Sequence, residues 1–207
     1  MTVVAGYIRM LLKDRAGPLN DQQRRLLEEA EKSCGRLSGL IAEMSDLANL
    51  ESGSGTFNRS KIDIGPLLQE AVASLPPLPD REVAIELTNQ AGQAIVTGDP
   101  TRLRTAFSSV LTALRREVVT SPRLLVRLRR ASAKGPERAL RVSIGDDEHI
   151  DRVDGSEGSD LGVFDEWRGG SGLSLAIARR ILAAHDGRLW SPNDDPKAGA
   201  VMLLPEA

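Results

Sequence analysis

Residues 169–187, GGSGLSLAIARRILAAHDG, put a glycine-rich turn directly before a helix. Leu173, Ala176, Ile177, Ile181 and Ala184 fall three and four residues apart, the spacing of one helix face, and Asp186–Gly187 stops the run. Glycines at such a turn let backbone come close to a ligand, and the free N–H groups of a helix start draw anions such as phosphate. A lone Gly-x-Gly before a helix is more often a plain turn. This stretch is longer than that, and other parts of the chain agree with it.

The rest of the composition sets bounds. Aromatic residues make up only 3% of the 207, so the core must be built from Leu, Ile, Val and Ala. A formal charge of −2 gives no electrostatic reason to expect nucleic acid or an anionic membrane as partner. No apolar run approaches the roughly 20 residues of a membrane span, and no charged-then-apolar leader opens the chain. Cys34 is the only cysteine, which excludes an internal disulfide and fits a reducing compartment.

Asn20 to Glu51 reads as one long helix. Asn20 and Gln23 form a capping box at its start, and the run Ser52 to Gly55 stops it. Leu26, Ala30, Ser33, Leu37, Leu40, Met44 and Leu47 alternate spacings of four and three, while Leu27, Cys34, Ile41 and Ala48 add a second stripe. So wide an apolar face belongs to a helix bundle rather than a two-stranded coil. The rod is about 45 Å long. The helix before it, from Thr2 to about Asp14, is less than half that length and covers only its early part. The stripe from Leu37 to Leu47 therefore needs another surface, a second copy of the chain or residues upstream.

Three parts of the chain together resemble the histidine-kinase family. Gly170, Gly172, Leu173, Leu175 and Ala176 match its second glycine box, with Ser174 and Asp186 standing where the family has glycine. Val163–Asp165 is similar to its F box, and Asp99, Arg102 and Leu103 to the D-x-x-R-L that opens its N box. The N-terminal quarter is similar to the dimerisation hairpin that precedes the ATP domain. The resemblance implies an α+β chain. Residues 1–56 would form a helical hairpin that pairs into a dimeric four-helix bundle. Residues 57–207 would form a Bergerat-type α/β sandwich. Strands are expected at 61–64, 83–87, 95–97, 123–130, 140–144, 188–191 and 201–204, making an antiparallel or mixed sheet with helices on one face. Arg127 and Arg129 are expected on a solvated outer strand face. The implied cofactor is ATP with Mg²⁺. The implied partners are a second copy of the chain and a response-regulator receiver domain, with no nucleic acid and no membrane contact. The implied location is cytoplasmic, as itself or as part of a longer sensor.

The departures bear on activity. The family's phospho-acceptor histidine sits on the first helix just before the point where the match begins. The two histidines here, His149 and His185, lie outside the hairpin. The N-box asparagine positions fall on Ser109 and Ala113, and Ala113 has no side-chain oxygen for the Mg²⁺ the family holds there. Asp146 matches the aspartate that accepts a hydrogen bond from the adenine amine, but the glycines of that box are Glu148 and Ile150, and a β-branched residue suits a close ligand approach poorly. Nine carboxylates and one arginine lie between Asp146 and Glu166, where the family covers the triphosphate, and like charges there oppose an anion. The leading expectation is a transmitter core with a degenerate pocket, no catalytic residue and no metal site, keeping Asp146, Gly170, Gly172 and Leu173 as its nucleotide-side remnants. The alternatives are an active ATP-dependent protein histidine kinase with an upstream acceptor segment, or a histidine phosphotransferase.

Overall fold

The computed structural model describes residues 2–52, 56–78, 80–117, 121–132, 138–156, 173–192 and 198–207. The chain divides into two compact units, Met1–Ala48 and Asn49–Ala207.

The first unit is a helical hairpin. Helix α1 spans Thr2–Leu12 and α2 Asp21–Glu51. The capping box forms as the sequence predicts: Asn20 Oδ1 accepts from the Gln23 amide at 2.8 Å, and Gln23 Oε1 from the Asn20 amide at 3.0 Å. Arg24 fixes the turn, donating to the Leu12 carbonyl at 3.0 Å and to both Asp14 carboxylate oxygens at 2.9 Å. Arg9 pairs with Glu31 across the two helices at 2.9 Å. Ile8 is buried, yet α2 has no buried residue. Val3, Val4, Tyr7 and Met10 on α1, and Leu26, Leu37, Leu40, Ile41 and Met44 on α2, stand exposed.

In the second unit, β1 (Ser60–Asp63) and β3 (Ile95–Gly98) form an antiparallel pair of their own. The main sheet has five strands in the order β2–β4–β5–β7–β6. These are β2 Ala84–Asn89, β4 Arg123–Ser132, β5 Arg138–Gly145, β6 Arg188–Trp190 and β7 Gly199–Pro205. The sheet is mixed: β2 runs parallel to β4, and the other neighbours are antiparallel. Helix α4 (Pro100–Glu117) lies in the crossover that a parallel pair requires.

Alternation along β5 and β7 builds two cores. Leu140, Val142 and Ile144, with Ala200, Met202 and Leu204, are buried on one face of the sheet. Helix α4 packs there, between α3 (Ile64–Ala73) and α6 (Leu173–Ala184). Leu103, Phe107 and Leu111 on α4 and Ile181 on α6 are wholly buried. The expectation of helices on one face needs a correction, because the short α5 (Ile150–Gly155) packs on β5 and β7 from the other side. Val153 of α5 joins Trp190, Ala198 and Val201 in a small second core. Gly199 allows this approach: a Cβ there would strike the Ile144 carbonyl and lie 2.9 Å from Val153 Cγ2.

Helix α6 ends in a Schellman turn. The Gly187 amide donates to the Leu182 carbonyl at 2.8 Å and the Asp186 amide to that of Ala183 at 3.1 Å. Asp186 takes the left-handed position, at φ 57°. Among the described residues no helix is long and apolar enough to cross a membrane.

Candidate functional site

The start of α4 is a tightly wired node. Asp99 is its N-cap, 7% exposed, and its carboxylate accepts the Arg102 amide at 3.0 Å and the Asn58 amide at 2.9 Å. The Asp99 amide in turn donates to His185 Nε2 at 2.9 Å. His185 Nδ1 lies 2.7 Å from the Ile181 carbonyl. A carbonyl only accepts, so Nδ1 carries the proton and Nε2 is the acceptor. The buried ring thereby joins the end of α6 to the start of α4. Phe57 meets it edge-on at 5.3 Å. Gly98 leaves the ring room, since a Cβ there would lie 2.7 Å from His185 Cδ2. Burial alone would raise the Asp99 pKa, but the amides of Arg102, Asn58 and Thr101 outweigh it and hold the carboxyl below its ordinary value.

Farther along α4, Ser109 lines a cavity of about 320 Å³ with Ser74, Thr105, Ser108, Thr112 and Ser174. Its wall is rich in hydroxyls. Arg104 also lines it, and sits 3.7 Å from Glu70. Ala113 is buried, at 5% exposure, and offers no donor atom. Among the described residues no three His, Cys, Asp or Glu side chains gather where they could hold a metal ion. A hard divalent cation takes oxygen ligands, and the Ala113 side chain supplies none.

Asp146 follows β5 and is not among the residues lining that cavity. Its Oδ1 accepts the Glu148 amide at 3.0 Å and the His149 amide at 2.9 Å, and lies 2.6 Å from His149 Nδ1. The carboxylate thus closes the turn that leads into α5. That helix is held on the sheet by arginines. Arg123 pairs with Asp147 at 3.1 Å and Arg127 with Asp151. Arg129 pairs with Asp154 at 2.8 Å and also donates to the Asp154 carbonyl at 2.7 Å. Arg141, 8% exposed, donates to the Val153 and Ser156 carbonyls at 2.9 and 2.6 Å and lies over the Trp190 ring at 5.3 Å. Ser143 donates to Asp154 at 2.7 Å. Burial would raise the Asp154 pKa, but Arg129, Ser143 and Arg141 together keep it lowered. Burial lowers that of Arg141, helped by the charge of Arg129 and opposed by Asp154.

Two sequence expectations change here. Arg127 and Arg129 do not form a merely solvated face, because α5 brings carboxylates onto it. The acidic stretch after Asp146, expected as like charge opposing an anion, has Asp147, Asp151 and Asp154 paired with these arginines. Sequence reasoning missed Arg141, Asp154 and the His149 contact. The available signal was arginine at 123, 127 and 129 against aspartate at 147, 151 and 154. Gly170, Gly172 and Val163–Asp165 lie outside the described residues. Leu173 is the first residue of α6 and is half-buried.

Comparison with known proteins agrees with this fold. Residues 1–53 match the family model of the His Kinase A (phospho-acceptor) domain. The chain is 26% identical over 192 residues to the sensor-like histidine kinase SenX3 of Mycobacterium tuberculosis, covering 87% of this chain and 44% of that protein. It is 27% identical over 199 residues to the phosphate regulon sensor protein PhoR of Pseudomonas aeruginosa, covering 91% and 43%. The chain thus spans less than half the length of these curated relatives. Its fold is similar to that of the Acinetobacter baumannii histidine kinase AdeS, with a TM-score of 0.61 at 13% identity over all of this chain and 94% of that one. It is also similar to full-length ShkA in complex with AMPPNP, with a TM-score of 0.63 at 17% identity over 99% and 44%.

Proposed function

We propose that this chain, a divergent sensor histidine kinase core of two-component signal transduction, acts as a dimeric scaffold with a degenerate nucleotide pocket rather than by metal-dependent phosphoryl transfer. The observation that carries the reading is buried, oxygen-free Ala113 at the position where the family resemblance calls for the Mg²⁺ ligand. Phosphoryl transfer is mostly positioning and charge neutralisation around the metal. Losing that ligand therefore matters more than losing a glycine. Ser109 supplies a hydroxyl but no amide or carboxylate to orient an attacking group.

Residues 1–56 are the dimerisation hairpin in this reading and 57–207 the nucleotide-type domain. Leu37, Leu40, Ile41 and Met44 form the seam, and full burial of each is worth about 1.5–3 kcal/mol. Large exposed apolar patches are rare on soluble monomers, which supports a second copy as the cover. The partner read by the dimer is a response-regulator receiver domain, and the chain works in the cytoplasm. Asp146, Gly170, Gly172 and Leu173 are the nucleotide-side remnants.

Calorimetric titration of ATP with and without Mg²⁺ tests the pocket, and sedimentation tests the seam. The reading expects no Mg²⁺-dependent affinity, and twice the chain mass at micromolar concentration. Tight Mg²⁺-dependent binding contradicts the degenerate pocket, and a stable monomer contradicts the dimer.

A further inference from the structure

We infer that the hydroxyl-rich cavity between the end of α3 and the outer face of α4 is a metal-independent site for a small phosphate monoester. The inference does not rest on the nucleotide reading. Of Ser109, Ala113, Asp146 and Leu173, only Ser109 lines this cavity.

Arg104, Ser108 and Thr112 lie four residues apart on one face of α4, with Thr105 and Ser109 beside them. A helical Ser or Thr often turns its hydroxyl back to the carbonyl four residues earlier. Thr105 does so, donating to the Thr101 carbonyl at 3.0 Å. Ser108, Ser109 and Thr112 do not. They are half-buried, and among the described residues their hydroxyls have no hydrogen-bond partner. The Arg104 guanidinium also has donors to spare, since Glu70 lies 3.7 Å from it, beyond hydrogen-bond reach.

The facing wall has its acceptors occupied. At the end of α3 the Glu70 carbonyl takes the Ser74 amide at 3.0 Å and the Val72 carbonyl the Leu75 amide at 3.2 Å. The Ala71 carbonyl takes the Ser74 hydroxyl at 2.9 Å, and the Pro76 carbonyl takes Arg115. No carboxylate is among the described lining residues. What the cavity leaves unused is therefore donors, one of them charged, and their complement is an anion with clustered acceptors. A phosphoryl group presents three such oxygens, whereas a carboxylate has two. At about 320 Å³ the cavity is at the small end of ligand pockets. Leu75 and Pro76 give it an apolar wall for the few carbons of an ester.

Calorimetric titration without Mg²⁺ tests this, with glycerol 3-phosphate, glycerate and glycerol as probes of the 207-residue chain. Glycerol 3-phosphate should bind, glycerate more weakly, and glycerol not at all. Arg104→Gln should weaken glycerol 3-phosphate about tenfold, and Ser108→Ala about threefold. Glu70→Gln, which frees the guanidinium, should tighten it severalfold, an opposite sign that a purely structural Arg104 would not produce. Arg116→Gln, exposed on the same helix but outside the cavity, should change nothing. Unchanged melting temperatures show that the variants keep the fold. Absence of glycerol 3-phosphate binding overturns the inference. So does equal binding of glycerate or glycerol, or an equal loss in Arg104→Gln and Arg116→Gln. Every arm is free of Mg²⁺, so the outcome stands apart from the Mg²⁺–ATP test of the scaffold reading.

Discussion

Asp99 stands at the end of β3 and Asp146 at the end of β5; the first carboxylate caps the helix that follows, and the second closes the turn that leads to His149, the N-cap residue of α5. Their surroundings differ. Asp99 opens the 18-residue α4, takes amides from two elements, and is locked to α6 through buried His185. Asp146 closes the turn ahead of the six-residue α5, and one of its three donors is a side chain, His149. At the first, every partner is a piece of the fold. At the second, one partner is a partly exposed side chain. The comparison teaches that two aspartates at strand ends can do different structural work: Asp99 caps a long helix, while Asp146 closes a turn ahead of a short one.

The largest effect should come from removing the two carboxylates in turn. Asp99→Ala loses an N-cap and leaves buried amides without an acceptor, for about 3 kcal/mol. Asp146→Ala takes the acceptor from the turn amides of Glu148 and His149, next to solvent, at about 1 kcal/mol. Urea unfolding measures both, and equal losses would break the comparison. Acid gives the next effect. Asp99 and Asp154 both have lowered folded-state pKa values. Their contribution is complete above the ordinary carboxylate value, about pH 4, and is lost as pH falls through the folded values. The urea midpoint should therefore drop as the pH falls below about 4, and Asp154→Asn should make that acid limb shallower. A limb unchanged in the variant would show that the α5 pairs contribute nothing. The smallest change sharpens the contrast at α6. Asp186 holds a left-handed position where the family has glycine, so Asp186→Gly should stabilise by about 0.5–1 kcal/mol, seen as a raised melting temperature.

The helices were the most legible part of the fold. The Asn20–Gln23 box and the 4–3 spacing of leucines are local signals, and α2 begins and ends where they place it. Most strands fell within a residue or two of expectation because alternation marks them directly. The parallel joining of β2 to β4 was not legible, since alternation says that a strand is half-buried but not which neighbour it takes. Nor was the second core. Arg127 and Arg129 alternate as residues of a solvated face do, and their carboxylates lie 24 and 25 residues away in sequence. Trp190 and Arg141 meet only after β5, β6 and β7 have paired. Ser109 and Ala113 could be placed on α4 from the N-box spacing alone, but the burial of Ala113 is a tertiary fact.

The proposal that Ala113 leaves the site without a cation grip is tested most directly by the paramagnetic resonance of Mn²⁺, a hard ion that stands in for Mg²⁺, titrated with ATP in the presence and absence of the chain. The account predicts that the chain leaves the spectrum of the Mn²⁺–ATP complex unchanged, whereas Ala113→Asn begins to alter it. A wild-type chain that immobilises Mn²⁺–ATP would contradict it.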